Sequence, residues 1–260
     1  MREEWCDNII WEDDSRIENI DLVIHTEAIP LTQSELKKAK QWDLTTKKYN
    51  TALWDVVSNH KLIAIAGTHG KSTTTSLVSQ ILKNSDEWFF AIIGTLLKEF
   101  NGKNFHTQWD QEYAVIEACE YKEHFLEYHP TVAVITNIEY DHADYFKTQK
   151  SYLEAFQKFI ENIKPWGFCI LNEDDANCQK LLGKRTDINY ISLSQEGFTL
   201  YWSEEDILYT FPEINMKIPG DHVLFDAKLA YMVGHMSWIS DESVTQTLSR
   251  SEERRVGKEC

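Results

Sequence analysis

The residues best suited to chemistry form a short polar segment between an apolar run and a helical pattern. They are consecutive: Gly67, Thr68, His69, Gly70, Lys71, Ser72 and Thr73. In such a segment glycines let the backbone approach an anion, the first amides of a helix point at it, and the lysine reaches the outer phosphates. The Ser72 hydroxyl is placed to bind a magnesium ion. The segment therefore predicts a site for a nucleoside triphosphate.

The flanking patterns favour this interpretation over an ordinary strand–helix turn capped by Ser or Thr. The general pattern G-x-x-x-x-G-K-[ST] needs glycine where Ile65 stands, so this loop is the shorter form G-x-x-G-K-S. The run 62–66 before it is typical of a buried parallel strand. The helix that begins at Lys71 is expected to carry these apolar residues on one face: Leu77, Val78, Ile81 and Leu82.

Acidic and polar side chains end two further apolar runs. The first run ends at Glu117 and Glu120, and the second is followed by Asn137, Asp141, His142 and Asp144. In a doubly wound sheet the carboxyl ends of the strands meet at one edge, where ligands gather. We therefore expect these groups to face the loop and to hold a divalent cation on the phosphates. The alternative is that they are solvated edge residues.

Three segments resemble motifs of the Mur ligases, the ATP-dependent amide ligases of peptidoglycan synthesis. They are GTHGKSTTT from residue 67, EACEY from 117 and TNIEYDHADY from 136. The resemblance implies that Lys71 binds the ATP phosphates, that Glu117 and His142 are magnesium ligands, and that Asn137 lies at the active centre. Ser72 stands where the family has threonine and keeps the metal-binding hydroxyl.

Two features of these motifs depart from expectation. Cys119 replaces the usual aspartate and removes one charge from the site. Metal chemistry alone would favour Asp141, because Mg²⁺ prefers oxygen ligands. The assignment of His142 as a metal ligand therefore rests on the resemblance.

A third motif lies near the end of the chain. The segment IPGDHVLFDA from residue 218 resembles the family's P-G-x-H-N-x-x-N-A, in which a histidine and the second asparagine border the adenine. The resemblance places His222 and Asp226 there, although Val223 and Asp226 replace both asparagines. An aspartate accepts a hydrogen bond from the adenine amino group but cannot donate one to a ring nitrogen. The alternative is a capped helix start after a Pro-Gly turn.

Composition excludes several classes of protein. Hydrophobic residues make up 42% of the 260 residues, charged residues 26%, and the formal net charge is −16. This charge argues against binding to nucleic acid or to anionic membranes. No apolar run approaches the roughly 18 to 20 residues that a membrane helix needs, and the acidic N-terminus is unlike a signal peptide. The five cysteines form no C-x-x-C pair, so we expect reduced thiols in the cytoplasm.

Apolar runs alternate with helical patterns, which predicts an α/β fold with a mostly parallel, doubly wound sheet. Strands are expected at 21–29, 62–66, 88–94, 113–120, 131–138 and 167–174. Helices are expected at 34–43 with Ser34 as N-cap, at 49–58, from 71, and at 151–163, 176–182 and 222–236. After about residue 187 short alternating runs predict a small antiparallel addition.

The resemblance also suggests a division into domains. DLVIHTEAIP from residue 21 is similar to the end of the family's UDP-binding domain, so residues 1–58 are expected to be a partial Rossmann-like domain. Residues 59–250 would be the central ATP-binding domain, and the family's third domain is expected to be absent. Residues 251–260 resemble a foreign tail, with a frayed natural terminus as the alternative.

The Mur ligase resemblance implies ATP and Mg²⁺ as cofactors and UDP-N-acetylmuramate and L-alanine as substrates, joined through an acyl phosphate. The UDP-N-acetylmuramate–L-alanine ligases are the most similar branch, and a ligase that recycles the murein tripeptide is an alternative. A second alternative is a nucleotide-binding module without catalysis. A regulatory NTPase is disfavoured by the short loop and the accompanying motifs. We expect these 260 residues alone not to complete a turnover, because most of the UDP pocket and the closing domain are missing.

Overall fold

The computed structural model describes residues 20–251 apart from residues 28, 31, 109–110 and 202–207. The chain divides into two compact units, Met1–Val56 and Val57–Cys260. Of the tail expected at 251–260, all but Ser251 lies outside the described residues. The acidic N-terminal stretch, residues 1–19, also lies outside them.

The first unit contains the strand pair β1 (Leu22–His25) and β2 (Thr45–Lys48), which run parallel. Helix α1 (Ser34–Gln41) connects them, and helix α2 (Tyr49–Val57) follows. A strand within the expected range 21–29 is confirmed, although it ends at His25, and both helices are confirmed, whereas β2 was not predicted. Its sequence, Thr-Thr-Lys-Lys, has no apolar alternation that would indicate a strand.

The expected start of α1 needs a correction. Gln33, and not Ser34, is the N-cap residue, and its side chain makes no capping hydrogen bond. Ser34 is already helical, and its hydroxyl donates to the Glu35 carboxylate at 3.0 Å. The Ser34 hydroxyl therefore hydrogen-bonds the Glu35 side chain and does not cap a backbone amide of the helix.

The second unit is built on one sheet. Its strands are β3 (Lys61–Ala66), β4 (Phe89–Leu97), β5 (Lys103–His106), β6 (Tyr113–Glu117), β7 (Val132–Ile135), β8 (Phe168–Asn172), β9 (Asn189–Leu193), β10 (Phe198–Leu200) and β11 (Leu208–Tyr209). Their spatial order is β11-β10-β9-β8-β7-β3-β6-β4-β5. Pairing is parallel from β9 to β4. The predicted α/β fold with a mostly parallel sheet is confirmed.

The antiparallel parts of the sheet differ in detail from the prediction. Strand β9 pairs parallel with β8, so the antiparallel addition begins only at β10. The segment INMKI at 214–218, one of the short alternating runs expected to form antiparallel strands, is not a strand. At the other edge β5 pairs antiparallel with β4, which was not predicted.

The helices of this unit are α3 (Lys71–Asn84), α4 (Gln149–Glu161), α5 (Ala176–Gln179), α6 (Asp221–Met236) and α7 (Asp241–Arg250). Helix α7 was not predicted, and the others lie close to their expected positions. Among the described residues we find no helix that could span a lipid bilayer.

Helix α3 is enclosed more completely than its sequence suggested. Every residue from Thr73 to Leu82 is buried, including the polar ones. The helix packs against α6, α7 and strands β3, β4 and β6. The four apolar residues expected on one face lie in the hydrophobic core, and protein covers the polar face as well, which the sequence did not indicate.

The ends of the parallel strands define two edges of the sheet. At the carboxyl edge β3, β6 and β7 lead into the loops that carry the predicted site residues. At the amino edge the same strands begin beside the C-terminal end of α6, around a cavity of about 180 Å³. Its lining includes Lys61, Tyr113, Phe168, Met236 and Trp238.

Candidate nucleotide site

The loop between β3 and α3 depends on two glycines. Gly67 has φ 136° and Gly70 has φ 82°, backbone conformations that residues other than glycine rarely adopt. A Cβ on Gly67 would lie 2.0 Å from Thr136 Oγ1, and one on Gly70 would lie 2.4 Å from Asp226 Oδ1. Gly70 is also the N-cap of α3, so no side chain caps the first amides of that helix. This arrangement leaves the helix N-terminus suited to an anion.

Asn137 holds the loop in place. Its backbone oxygen accepts from Thr68 N at 3.0 Å, and its side-chain oxygen accepts from His69 N at 3.0 Å. Its Nδ2 donates to His69 O at 3.0 Å. The residue expected at the active centre thus clamps Thr68 and His69 from the neighbouring strand end.

Lys71 folds back over its own loop. Its ammonium donates to Gly67 O at 2.6 Å and to Thr68 O at 3.1 Å. It also lies 3.0 Å from Glu120 Oε2, and the Glu120 side chain is only 1% exposed. The sequence grouped Glu120 with the carboxylates expected to hold a divalent cation at this edge of the sheet. The structure makes it the buried counter-ion of Lys71.

Ser72 and Glu117 are brought together as predicted. The Ser72 hydroxyl donates to Glu117 Oε2 at 2.9 Å, and Gly94 N donates to the same oxygen at 2.7 Å. A Cβ on Gly94 would lie 2.7 Å from that oxygen, so glycine lets the Glu117 carboxylate approach β4 this closely. A hydroxyl and a carboxylate are hard oxygen donors of the kind Mg²⁺ prefers.

His142 belongs to the group around Glu120. Its Nε2 lies 3.4 Å from Glu120 Oε1, and its ring lies 4.7 Å from that of Tyr121. The backbone of His142 is left-handed, with φ 54°, and its N–H donates to Asp141 Oδ1 at 2.6 Å. The predicted metal ligands therefore lie in two neighbouring groups, one at Ser72 and one at Glu120.

These donors fit a magnesium ion shared with a nucleotide. Among the described residues no three His, Cys, Asp or Glu side chains are arranged to hold a metal by themselves. Mg²⁺ on a nucleotide usually needs only one or two carboxylates, because phosphates and water complete its shell. The pair Ser72–Glu117 meets that requirement.

Cys119 does not restore the charge of the aspartate that it replaces. Part of its surface is open to solvent. Desolvation by the surrounding protein, and then the Glu120 carboxylate, raise the pKa of its thiol. The group is therefore a neutral thiol at pH 7.

The third motif reaches the loop through α6. Asp226 is buried, and its carboxylate lies beside Gly70. His222 is exposed, and its ring lies over Gly220, where a Cβ would be 2.9 Å from His222 Cε1. The structure thus places Asp226 against the phosphate loop and leaves His222 at the start of the helix.

Residues 65–233 match the Mur ligase middle domain. The chain is 34% identical to the UDP-N-acetylmuramate–L-alanine ligase of Caldicellulosiruptor bescii, over 99% of this chain and 60% of the relative. It is 36% identical to the enzyme of the same name from Clostridium novyi, over 82% of this chain and 49% of the relative. The chain thus spans about half to 60% of the length of these relatives.

Solved structures show the same fold. A UDP-N-acetylmuramate:L-alanyl-gamma-D-glutamyl-meso-diaminopimelate ligase from Neisseria meningitides superposes with a TM-score of 0.74 at 19% identity, over 90% of this chain and 80% of the other. A UDP-N-acetylmuramate-alanine ligase from Thermotoga maritima superposes with a TM-score of 0.72 at 22% identity, over 88% and 54%.

Proposed function

This chain belongs to the Mur ligase family, and from that membership we propose that it carries the nucleotide site of an ATP-dependent ligase. The proposed reaction joins L-alanine to the carboxylate of UDP-N-acetylmuramate through an acyl phosphate. Two relatives at 34% and 36% identity carry the name of that activity. The observation that carries the proposal is the convergence of Lys71, Ser72 and Glu117 around one uncapped helix N-terminus.

Phosphoryl transfer needs positioning and neutralisation of charge more than covalent chemistry by the protein. The glycines of the loop expose amides to the phosphates, and Lys71 adds a positive charge beside them. A magnesium ion bound at Ser72 and Glu117 would neutralise phosphate charge. Asn137 keeps the loop in the conformation that presents these groups.

The remaining assignments are also proposals. His142 is assigned as a metal ligand from the motif, and it adjoins Glu120 at 3.4 Å. His222 and Asp226 are assigned to the adenine side from the motif alone, and the Asp226 carboxylate lies beside Gly70 of the loop. Gly67, Thr68, His69, Gly70 and Thr73 are assigned to the phosphates.

Residues 1–58 are proposed as part of a UDP-binding domain, and residues 59–250 as the central ATP-binding domain. A cytoplasmic location is proposed because the described cysteines are free thiols: Cys119, Cys169 and Cys178. Reduced thiols are typical of that compartment.

Two measurements test the proposal. Calorimetric titration of this chain with ATP and Mg²⁺ should show one binding site. Phosphate release by the product of the whole gene should require ATP, UDP-N-acetylmuramate and L-alanine together. Dependence on a murein tripeptide would identify the recycling ligase instead. ATP binding without any release would identify a non-catalytic module, which the replacements at Cys119, Val223 and Asp226 make a specific alternative.

A further inference from the structure

Glu120 is a buried carboxylate with polar neighbours in three directions, and Lys71 and Tyr152 can donate hydrogen bonds to its Oε1. Lys71 Nζ lies 3.0 Å from its Oε2, and His142 Nε2 lies 3.4 Å from its Oε1. The third neighbour is the Tyr152 hydroxyl from α4, 3.4 Å from Oε1. A buried carboxylate is costly unless its charge is compensated. If Lys71 moves toward a phosphate, the charge of Glu120 must therefore be compensated by His142 and Tyr152.

The Tyr152 hydroxyl lies within hydrogen-bond distance of both Thr68 and Glu120. It lies 2.9 Å from Thr68 Oγ1 in the phosphate loop, closer than it lies to Glu120. The Thr68 hydroxyl can donate its one proton to Glu139 O, 2.8 Å away, and it accepts from Glu139 N. In that arrangement the phenol donates to Thr68 and leaves Glu120 to Lys71 and His142.

A second arrangement uses the same atoms. If Thr68 turns its proton to the Tyr152 oxygen, the phenol is free to donate to Glu120. Glu139 O then loses its donor, but this residue is exposed, so water replaces the lost hydrogen bond. The two arrangements differ only in the rotation of two hydroxyl groups.

We propose that Tyr152 is a positioning residue that stabilises Glu120 when Lys71 turns to the phosphates of a bound nucleotide. This inference rests on the proposed function of the loop. The phenol donates to Thr68 in the free protein and to Glu120 in the nucleotide complex. Lys71 is thereby released from its counter-ion without leaving a buried charge uncompensated.

The surroundings of Tyr152 suit this role. Its side chain is fully buried, with its ring against those of Phe146 and Phe156 at centroid distances of 5.0 and 5.3 Å. The capping box at Thr148 fixes the start of α4 one turn earlier. Burial, and then the Glu120 carboxylate, raise the pKa of the phenol, which remains a donor at physiological pH. The ring is held while the hydroxyl can rotate.

Tyr152→Phe tests the proposal, since it removes the hydroxyl and keeps the packing. Calorimetric titration with ATP and Mg²⁺ should show an affinity about 10-fold weaker than in the parent chain, as expected for a lost hydrogen bond to a charged group. Unfolding without nucleotide should show only a small loss of stability, from the hydrogen bond to Thr68, because Lys71 then compensates Glu120. If Tyr152 served only to stabilise the fold, Tyr152→Phe would lower the stability of the nucleotide-free protein and leave ATP affinity unchanged.

Tyr140→Phe is the matched control. Tyr140 packs edge-on against Tyr152 at 6.1 Å, and its hydroxyl donates to Phe146 O. This variant loses a hydrogen bond of the same ring cluster without touching Glu120. We expect a small loss of stability and no loss of ATP affinity.

Glu120→Gln provides the decisive background, because a neutral amide needs no charge compensation. In that background Tyr152→Phe should no longer weaken ATP binding. An equal weakening in the parent chain and in the Glu120→Gln background overturns the proposal, as does unchanged affinity in the single variant. A parent chain that fails to bind ATP would instead overturn the proposed function together with this inference, so the two failures are distinguishable.

Discussion

At the carboxyl edge of the sheet the strands end around a buried ion pair, whereas at the amino edge they begin among exposed aromatic rings. Lys71 and Glu120 meet at the first edge, with side chains 15% and 1% exposed. At the second edge Trp166 is 80% exposed and Trp238 95% exposed. The same parallel strands form both edges, so the two edges differ because all the strands run in one direction.

This difference follows from the parallel arrangement. Helix N-termini and the loops before them meet only at the carboxyl edge, where amides and cations concentrate. The amino edge receives helix C-termini and tight turns. We therefore expect substitutions at the carboxyl edge to change nucleotide affinity, and substitutions at the amino edge to change stability without changing affinity.

The largest effect is expected from Lys71→Ala. It removes the proposed phosphate contact and leaves the Glu120 carboxylate buried without the Lys71 cation. We expect ATP affinity to fall roughly 100-fold and stability to fall by about 3 kcal/mol. Titration calorimetry and urea unfolding measure the two losses.

The double variant Lys71→Ala with Glu120→Gln separates those losses. Removing the unpaired charge should restore most of the stability while ATP affinity stays low. If affinity returned together with stability, Lys71 would act only as the counter-ion of Glu120.

Gly94→Ala should weaken magnesium-dependent binding about 10-fold, an order of magnitude suggested by the loss of supporting contacts at metal ligands. The new Cβ would displace the flexible Glu117 carboxylate, which lies 2.7 Å away. ATP titrations with and without Mg²⁺ measure the effect.

Gly102→Ala is the contrasting variant, because a Cβ there meets nothing within 4 Å but φ is +76°. It should cost about 1 kcal/mol of stability and leave ATP affinity unchanged. Loss of magnesium dependence in both variants would show that Gly94 acts through the fold and not through Glu117.

Asp226→Asn should strengthen ATP binding, roughly 5-fold, because it removes a negative charge beside Gly70 where phosphate would bind. This change is the one carboxyl-edge substitution here with a predicted gain. Titrations at low and high salt measure it. A loss of affinity would mean that the carboxylate contacts the nucleotide favourably.

Trp238→Gly should raise stability by about 1 kcal/mol without changing ATP affinity. Trp238 has φ 62° and is almost fully exposed, so glycine relieves backbone strain and little burial is lost. Thermal unfolding measures the gain, and Trp166→Gly, at φ 64°, should behave alike. A lower melting temperature in both would show that these rings cover apolar surface.

The smallest effect concerns pH. Burial, and then the charge of Lys83, lower the pKa of His106 from its ordinary 6.5. Its ring stacks on Phe89 and Phe100 near the amino end of β4. His106 takes up a proton more readily in the unfolded chain than in the folded one. Its contribution to the free energy of unfolding is therefore fully present above pH 6.5 and is lost as the pH falls below that value.

Urea unfolding at pH values of about 7.5 and 5.5, on either side of the ordinary histidine pKa, should show a smaller loss of stability in His106→Phe than in the parent chain. Phenylalanine keeps the stacking and cannot titrate. An equal loss in both proteins would assign the pH dependence to other groups.

The sequence predicted the elements whose residues carry a strong local pattern. The apolar runs of β3, β6 and β7 and the loop glycines define the central layer of the sheet and the candidate nucleotide site. Strand β2 has no such pattern. Strand β5 did have a sequence signal, which our prediction of the strands did not use. Asn101-Gly102 is a typical hairpin-turn dipeptide, and both residues are left-handed in the turn before β5.

The site was predictable where residues are joined by motif and not where they are joined by packing. Ser72 and Glu117 meet because Glu117 is the last residue of β6 and Ser72 lies just beyond the carboxyl end of the adjacent strand β3. The contacts of Tyr152 with Thr68 and Glu120 link positions 84 and 32 residues away. A tyrosine on the apolar face of α4 has the same sequence pattern as any core aromatic residue.

The enclosure of α3 has a consequence for the thermodynamics of association. Its amides from Thr73 to Leu82 lie in the interior, where hydrogen exchange requires extensive opening. The loop at its start is therefore ordered before any ligand arrives. A nucleotide that binds there loses its own freedom but immobilises little of the protein, which lowers the entropic cost of the encounter.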